Sequence, residues 1–230
     1  LPATASWWVP VVGSFIAIVI AKQFYGGLGQ NFINPALIGR AFLVAAYPTQ
    51  TTGAAFATGR MVTDAATYAT PLAELKAGTA IVNADAIKNA LIGNVGGTIG
   101  ETCAIALIIG GIYLLVKHVI SWRIPVVYIV VVFILTSLMR GNGFLGGVYE
   151  IFCGGLMLGA IFMATDYVTS PISAKGQIIF AIGCGILTSL IRVYGGYPEG
   201  VSYSILIMNL AVPLIDRVTR PRIFGEVKAK

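Results

Sequence analysis

The sequence predicts an all-α membrane protein, a polytopic bundle of transmembrane helices that contains a broken or re-entrant helix. Hydrophobic residues fill 57% of the 230 positions and charged residues only 10%, with mean hydropathy +0.87. A soluble domain carries about 25% charged residues. The apolar residues form long runs bounded by Gly, Pro, Trp and Tyr, a helical pattern rather than the alternation of a membrane barrel. One stretch, from Gly26 to Pro35, places glycines and asparagines between apolar segments. Such backbone cannot face lipid bare.

The elements follow in order. Long apolar segments run from Trp7 to Ala21, Gly93 to Val116, Ile124 to Met139, Phe144 to Thr165, Gly176 to Ile191 and Val201 to Ile215. Several fall short of the roughly 20 residues that cross a bilayer comfortably, which suits spans packed inside a larger bundle. After the glycines, Asn34 is a capping residue and Pro35 suits the first turn of a helix from about Ala36 to Tyr47. Broken helices of this kind often direct a helix N-terminus at a ligand near mid-membrane. Residues from about Pro48 to Ile92 form the one substantial loop, rich in Ala, Thr and Gly, with a short helical pattern near Leu72 to Lys76. The expected organisation is residues 1–47 as a span plus the broken helix, 48–92 as an extracytoplasmic loop, 93–216 as a five-helix bundle and 217–230 as a basic tail. The chain starts at Leu1 with no initiator Met or signal-peptide pattern, and it reads as part of a longer polypeptide.

Net charge is +6, but the basic residues are scattered between spans except for a C-terminal cluster. That distribution orients a protein in a bilayer and does not describe a nucleic-acid surface. Arg217, Arg220, Arg222, Lys228 and Lys230 put the tail in the cytoplasm. Counting back, the loop holding Arg192, Tyr194, Tyr197 and Glu199 lies outside and Asp166 to Lys175 inside. Gly141 to Gly147 is then outside and Lys117 to Arg123 inside. Five crossings separate the tail from residue 70, which therefore faces the extracytoplasmic water. Cys103, Cys153 and Cys184 lie in apolar runs with no C-x-x-C and no nearby His, and they read as small buried hydrophobes. His118, beside Lys117, reads as interfacial. No metal site and no acid–base catalytic set is expected.

The stretch Asp64-Ala65-Ala66-Thr67-Tyr68-Ala69-Thr70-Pro71-Leu72 has the parts a flavin transferase needs. Attachment through a phosphoester requires an accessible acceptor hydroxyl, small neighbours and a nearby acid. Thr70, Ala69 and Asp64 supply these, with Thr67 and Tyr68 between. Taken alone, the same residues read as a capped turn, with Asp64 or Thr67 capping and Pro71 opening a short helix.

Further motifs bear on that choice. Gly26 to Phe42, Phe162-Met163-Ala164-Thr165-Asp166 with Thr169-Ser170-Pro171, Gly195-Gly196-Tyr197-Pro198-Glu199-Gly200-Val201, and Pro213-Leu214-Ile215-Asp216 occur in order along the chain. In sequence and spacing they resemble the RnfD/NqrB family of membrane flavoproteins, and Arg217 to Arg222 looks more like RnfD. The resemblance implies a urea-channel-like fold and a subunit of an ion-translocating ferredoxin:NAD+ oxidoreductase (Rnf) complex in a bacterial or archaeal cytoplasmic membrane. It implies FMN on Thr70 with Asp64, Thr67, Tyr68 and Ala69 completing the acceptor motif, a flavin transferase for maturation, and other Rnf subunits as partners. A non-covalent riboflavin within the spans and coupling to Na+ or H+ movement are implied in the same way. The family usually has Gly where this chain has Tyr68; stacking of Tyr68 on the flavin ring is an expectation that goes with that departure. The rival readings are an NqrB-type subunit of a Na+-pumping quinone reductase and a small-solute channel. A channel has no need of the acceptor motif.

Arg40, Glu101, Glu150, Asp166, Glu199 and Asp216 are the ionisable residues in or near spans. Charges at membrane depth default to functional candidates. Glu101 and Glu150 lie deepest and are candidates for cation passage, whereas Asp166, Glu199 and Asp216 suit anchoring or loop pairing. Gly155-x-x-x-Gly159 reads as a close helix contact.

Overall fold

The computed structural model describes residues 1–2, 5–51, 70–79, 82–141, 143–196 and 199–219, and all regular structure among them is helical. α1 (Trp8–Phe15) continues as a π-helical turn over Ile16–Ile20. Then come α2 (Pro35–Ala46), α3 (Pro48–Thr51), α4 (Pro71–Ala77), α5 (Ala84–Ile92) and α6 (Ala104–Val116). After them follow α7 (Arg123–Arg140), α8 (Gly143–Phe152), α9 (Leu156–Leu158, continued as a π turn to Met163), α10 (Ala174–Tyr194) and α11 (Val201–Thr219). α1 with its continuation, α7, α10 and α11 are each long and apolar enough to cross a bilayer, and α8–α9 form a bent fifth candidate. This is a multi-pass membrane protein.

α10 packs along α7 and α11. Their shared core holds Tyr128, Phe180, Ala181, Cys184 and Ile205, all fully buried. A polar knot sits inside it: the Tyr128 hydroxyl meets Thr188 Oγ1 at 2.6 Å and Ser204 Oγ at 2.9 Å, and those two meet at 2.6 Å. In a bundle without water, such hydroxyls must satisfy one another. The outward faces are apolar. Val126, Val130, Ile134 and Leu138, spaced by four along α7, are each 45–79% exposed and make a stripe suited to lipid or another subunit.

Two runs that read as continuous are broken. The segment Gly93 to Val116 becomes helical only at Ala104, because Gly93 and Gly100 adopt φ of +98° and +86°. The segment Phe144 to Thr165 bends by 66° between α8 and α9. Gly154, at φ +67°, makes that bend, and a β-carbon there would overlap Leu72 Cδ1. Gly159 lies where a β-carbon would strike Val201 Cγ1, so the G-x-x-x-G pattern does serve close packing.

The break before α2 follows the expected chemistry. Asn34 Oδ1 accepts from the N–H of Ala36 at 3.1 Å and of Leu37 at 3.3 Å, and Pro35 opens the helix. Asn34 Nδ2 donates to the Met163 carbonyl at 3.3 Å. Gly26, Gly27 and Gly29 all have positive φ.

The bundle has two distinct ends. At one, Arg140 of α7, Arg192 of α10 and Leu75 of α4 are hydrogen-bonded together. At the other, Ser173 donates to Thr219 at 2.7 Å, Asp216 accepts from the Ile172 N–H at 3.2 Å, and Tyr167 donates to the Val119 carbonyl. The 21 residues of α10, about 31 Å at 1.5 Å per residue, separate them. α4 and the last turn of α11 therefore lie at opposite ends. The expected loop over 48–92 is not structureless, since α3, α4 and α5 fall within it.

Candidate functional site

Thr70 is the N-cap of α4. Its backbone is extended (φ −64°, ψ 149°), its Oγ1 accepts from the Ala73 N–H at 3.3 Å, and Pro71 fills the first helical position. The cap is thus Thr70 itself rather than Asp64 or Thr67. Thr70 is only 8% exposed, which corrects the expectation of a hydroxyl standing free in water. The reason is local: Leu72 and Leu75 drive α4 onto α5 and α8 in a small core with Ala90, Tyr149 and Cys153, and Thr70 is drawn in with them. Asp64, Thr67, Tyr68 and Ala69 lie outside the described residues, as does the expected stacking of Tyr68.

α4 is tied to the spans by cations. Arg140 Nη1 donates to the Leu75 carbonyl and Nη2 to the Arg192 carbonyl, each at 3.0 Å. Lys76 Nζ reaches the Gly195 carbonyl. Arg140 Nε lies 2.8 Å from Glu150 Oε1, and Arg192 Nη1 lies 4.0 Å from Glu150 Oε2 while donating to the Glu150 carbonyl at 2.8 Å. Arg192 is fully buried inside α10. This corrects its placement in an outer loop. In sequence, an arginine at the end of an apolar run resembles an interfacial anchor, so neither Arg140 nor Arg192 stands out. The signal that points to them is Glu150, a deep carboxylate that requires a cation partner.

A second charged cluster lies beside Thr70. Arg40 of α2 spans two carboxylates, with Nη1 at 2.6 Å from Glu101 Oε1 and Nη2 at 2.5 Å from Glu199 Oε2. Glu101 is 4% exposed, and its Oε2 has no hydrogen-bond partner among the described residues. Gly155 admits it, because a β-carbon there would stand 2.9 Å from Glu101 Oε1. Glu199 titrates above the usual glutamate range, raised first by burial and then by the Glu101 charge, against the pull of Arg40. Thr70, Gly96, Gly97, Gly154, Glu101 and Glu199 share a cavity of about 10 Å³.

The two deep carboxylates expected from the sequence are therefore both buried, each with arginine. Asp166 accepts from Thr169 at 2.9 Å and Asp216 from the Ile172 N–H, as loop pairing requires. Cys153 and Cys184 are buried and Cys103 is half-buried, all as free thiols. His118 is exposed just past α6, with φ 55°. Among the described residues no three His, Cys, Asp or Glu side chains converge.

Comparison with known proteins agrees with this architecture. The chain is 53% identical over 231 residues to the D subunit of the Na(+)-translocating ferredoxin:NAD(+) oxidoreductase complex of Acetobacterium woodii, covering 100% of this chain and 70% of that protein. It is 49% identical over 235 residues to the D subunit of the proton-translocating ferredoxin:NAD(+) oxidoreductase complex of Clostridium ljungdahlii, covering 98% and 71%. The D subunit of the ion-translocating oxidoreductase complex of Stutzerimonas stutzeri is 40% identical over 258 residues, covering 98% and 72%. Residues 1–225 match the NQR2, RnfD, RnfE family, and the chain belongs to it.

Proposed function

We propose that this chain is the membrane electron-transfer subunit of an ion-translocating ferredoxin:NAD+ oxidoreductase complex, and that it carries FMN through a phosphoester on Thr70. The observation that carries the reading is the position of Thr70: a hydroxyl at the start of a short helix, held against the spans by Arg140 and Lys76. Similarity to the Acetobacterium and Clostridium proteins supports the assignment to the complex. The other subunits are then its partners, and a flavin transferase matures it.

The residues around Thr70 fit a phosphoester. Its oxygen is already fixed by the Ala73 N–H, and Gly96, Gly97 and Gly154 stand beside it among Pro71, Val95 and Phe152, so part of its surroundings carries no side chain. A cavity of about 10 Å³ is far below the several hundred that a ligand of flavin size fills, so the ring is accommodated outside it. FMN supplies one- and two-electron transfer when attached. The chain's task is to hold the attachment point. Arg140, Lys76, Leu72 and Leu75 do so, and once FMN is attached no acid–base chemistry is asked of the protein.

The opposition of α4 and the last turn of α11 supports an extracytoplasmic Thr70 with a cytoplasmic tail. Electrons then exchange with partner subunits on the outer face, coupled to Na+ or H+ movement. A non-covalent riboflavin is supported by a separate cavity of about 430 Å³, lined by Lys22, Asn31, Asn34, Phe162 and Asp166. That volume lies within the usual range for cofactor sites.

Co-expression with the transferase tests the reading. In-gel flavin fluorescence surviving denaturation is expected in wild type and in Thr70→Ser, and not in Thr70→Ala. Equal fluorescence in Thr70→Ala refutes it.

A further inference from the structure

We infer that Glu101 and Glu199 form, with Thr70, a binding site for one desolvated Na+ ion at the foot of the flavin attachment point. The inference deepens the flavin reading and rests on it for its coupling. Its geometry stands alone.

Two carboxylates share a single guanidinium, which leaves one negative charge in a place largely removed from water. Burial of an unbalanced charge is costly, and the cost is relieved by a counter-ion. The Arg40–carboxylate contacts occupy Glu101 Oε1 and Glu199 Oε2, while Glu101 Oε2 is buried without a partner among the described residues. Glu101 and Glu199 line the cavity of about 10 Å³ next to Thr70. That is room for one water-sized particle, and a bare proton would need none. The residues lining it bring hard oxygens: the carboxylates of Glu101 and Glu199, the side-chain oxygen of Thr70 and the hydroxyl of Thr102. Two carboxylates already sharing an arginine suit a monovalent ion rather than a divalent one.

Other charged groups face the pair. Arg192 approaches Glu199 from α10, but Glu150 already engages it. Arg192 does not reach Glu101 Oε2, which has no hydrogen-bond partner among the described residues. A phosphoester on Thr70 adds negative charge beside this cavity, so the flavin and the ion strengthen each other's hold. A change in charge at the flavin is thereby felt by the ion.

The test uses the assembled complex with the full-length subunit. It is treated with dicyclohexylcarbodiimide, which modifies protonated carboxyls, and labelling at Glu101 and Glu199 is read by peptide mass. Na+ replaces K+ at constant ionic strength and pH. The expected result is labelling without Na+ that falls as Na+ is added. The half-protecting concentration should rise about tenfold or more in Thr102→Val, and in Thr70→Ala protection should weaken without vanishing. Labelling that follows pH but ignores Na+ overturns the site in favour of a plain proton. Absence of labelling at both glutamates without Na+ overturns it too, since an empty site should leave one of the two carboxyls free to take up a proton. The wild-type arm alone can refute the proposal, whatever a variant does to folding. Failure of the flavin reading looks different: the Thr70 peptide carries no flavin mass while Na+ still protects.

Discussion

Arg140 Nη1 donates to the Leu75 carbonyl at 3.0 Å, so the last turn of one span holds the last turn of the helix that begins at Thr70. The same guanidinium bonds the Arg192 carbonyl and pairs with Glu150. One side chain thus joins α4, α7, α8 and α10.

Arg140→Ala should therefore cost more than an ordinary polar truncation. It leaves Glu150, 2% exposed at its side chain, with Arg192 at 4.0 Å as its one ion-pair partner among the described residues. Breaking a buried pair from one side costs about 3–5 kcal/mol. Thermal unfolding in detergent should show a clear drop, with Arg140→Lys intermediate because an ammonium cannot reproduce the fork. A midpoint unchanged in the alanine variant would mean that Arg140 does not hold these helices together.

Gly154→Ala tests the bend between α8 and α9. Its φ of +67° disfavours a side chain, and the new carbon would overlap Leu72 Cδ1. Strain and overpacking each cost about 1–3 kcal/mol. The damage should reach α4, seen as faster proteolysis of the loop around Thr70 than of the spans. Uniform behaviour along the chain would contradict the contact.

Much of the architecture is legible in the sequence, and the misses share a cause. Asn34 and Pro35 define the start of α2 by local chemistry, so sequence alone places it. The apolar runs likewise place α7, α10 and α11. The 66° bend at Gly154 escapes because a glycine inside an apolar run is equally at home in straight close packing, as at Gly159. The motif marks Thr70 as the expected acceptor, but its burial comes from Leu72 and Leu75 docking on α8, a tertiary event. Arg192 reads as a loop cation because no local signal reveals that Glu150, 42 positions earlier, awaits it.

Glu199 gives stability a pH dependence. Its carboxyl is held above the ordinary glutamate range in the folded protein, chiefly by burial and then by Glu101. A group raised on folding contributes stability that is full below its unfolded value and is lost as pH rises through the raised one. In Na+-free buffer, wild type should lose thermal stability from mild acid toward neutral pH, and Glu199→Gln should lose less. Parallel curves would show that Glu199 titrates normally.

The proposed function turns on a single covalent attachment. It is read most directly from the intact mass of the subunit, purified with its flavin transferase, for wild type and for Thr70→Ala. A mass increase of FMN less the one water lost in forming the ester is expected in wild type, located by fragmentation on the peptide containing Thr70, and none in the variant. An unmodified Thr70 in an active complex, or the same added mass in Thr70→Ala, would contradict it.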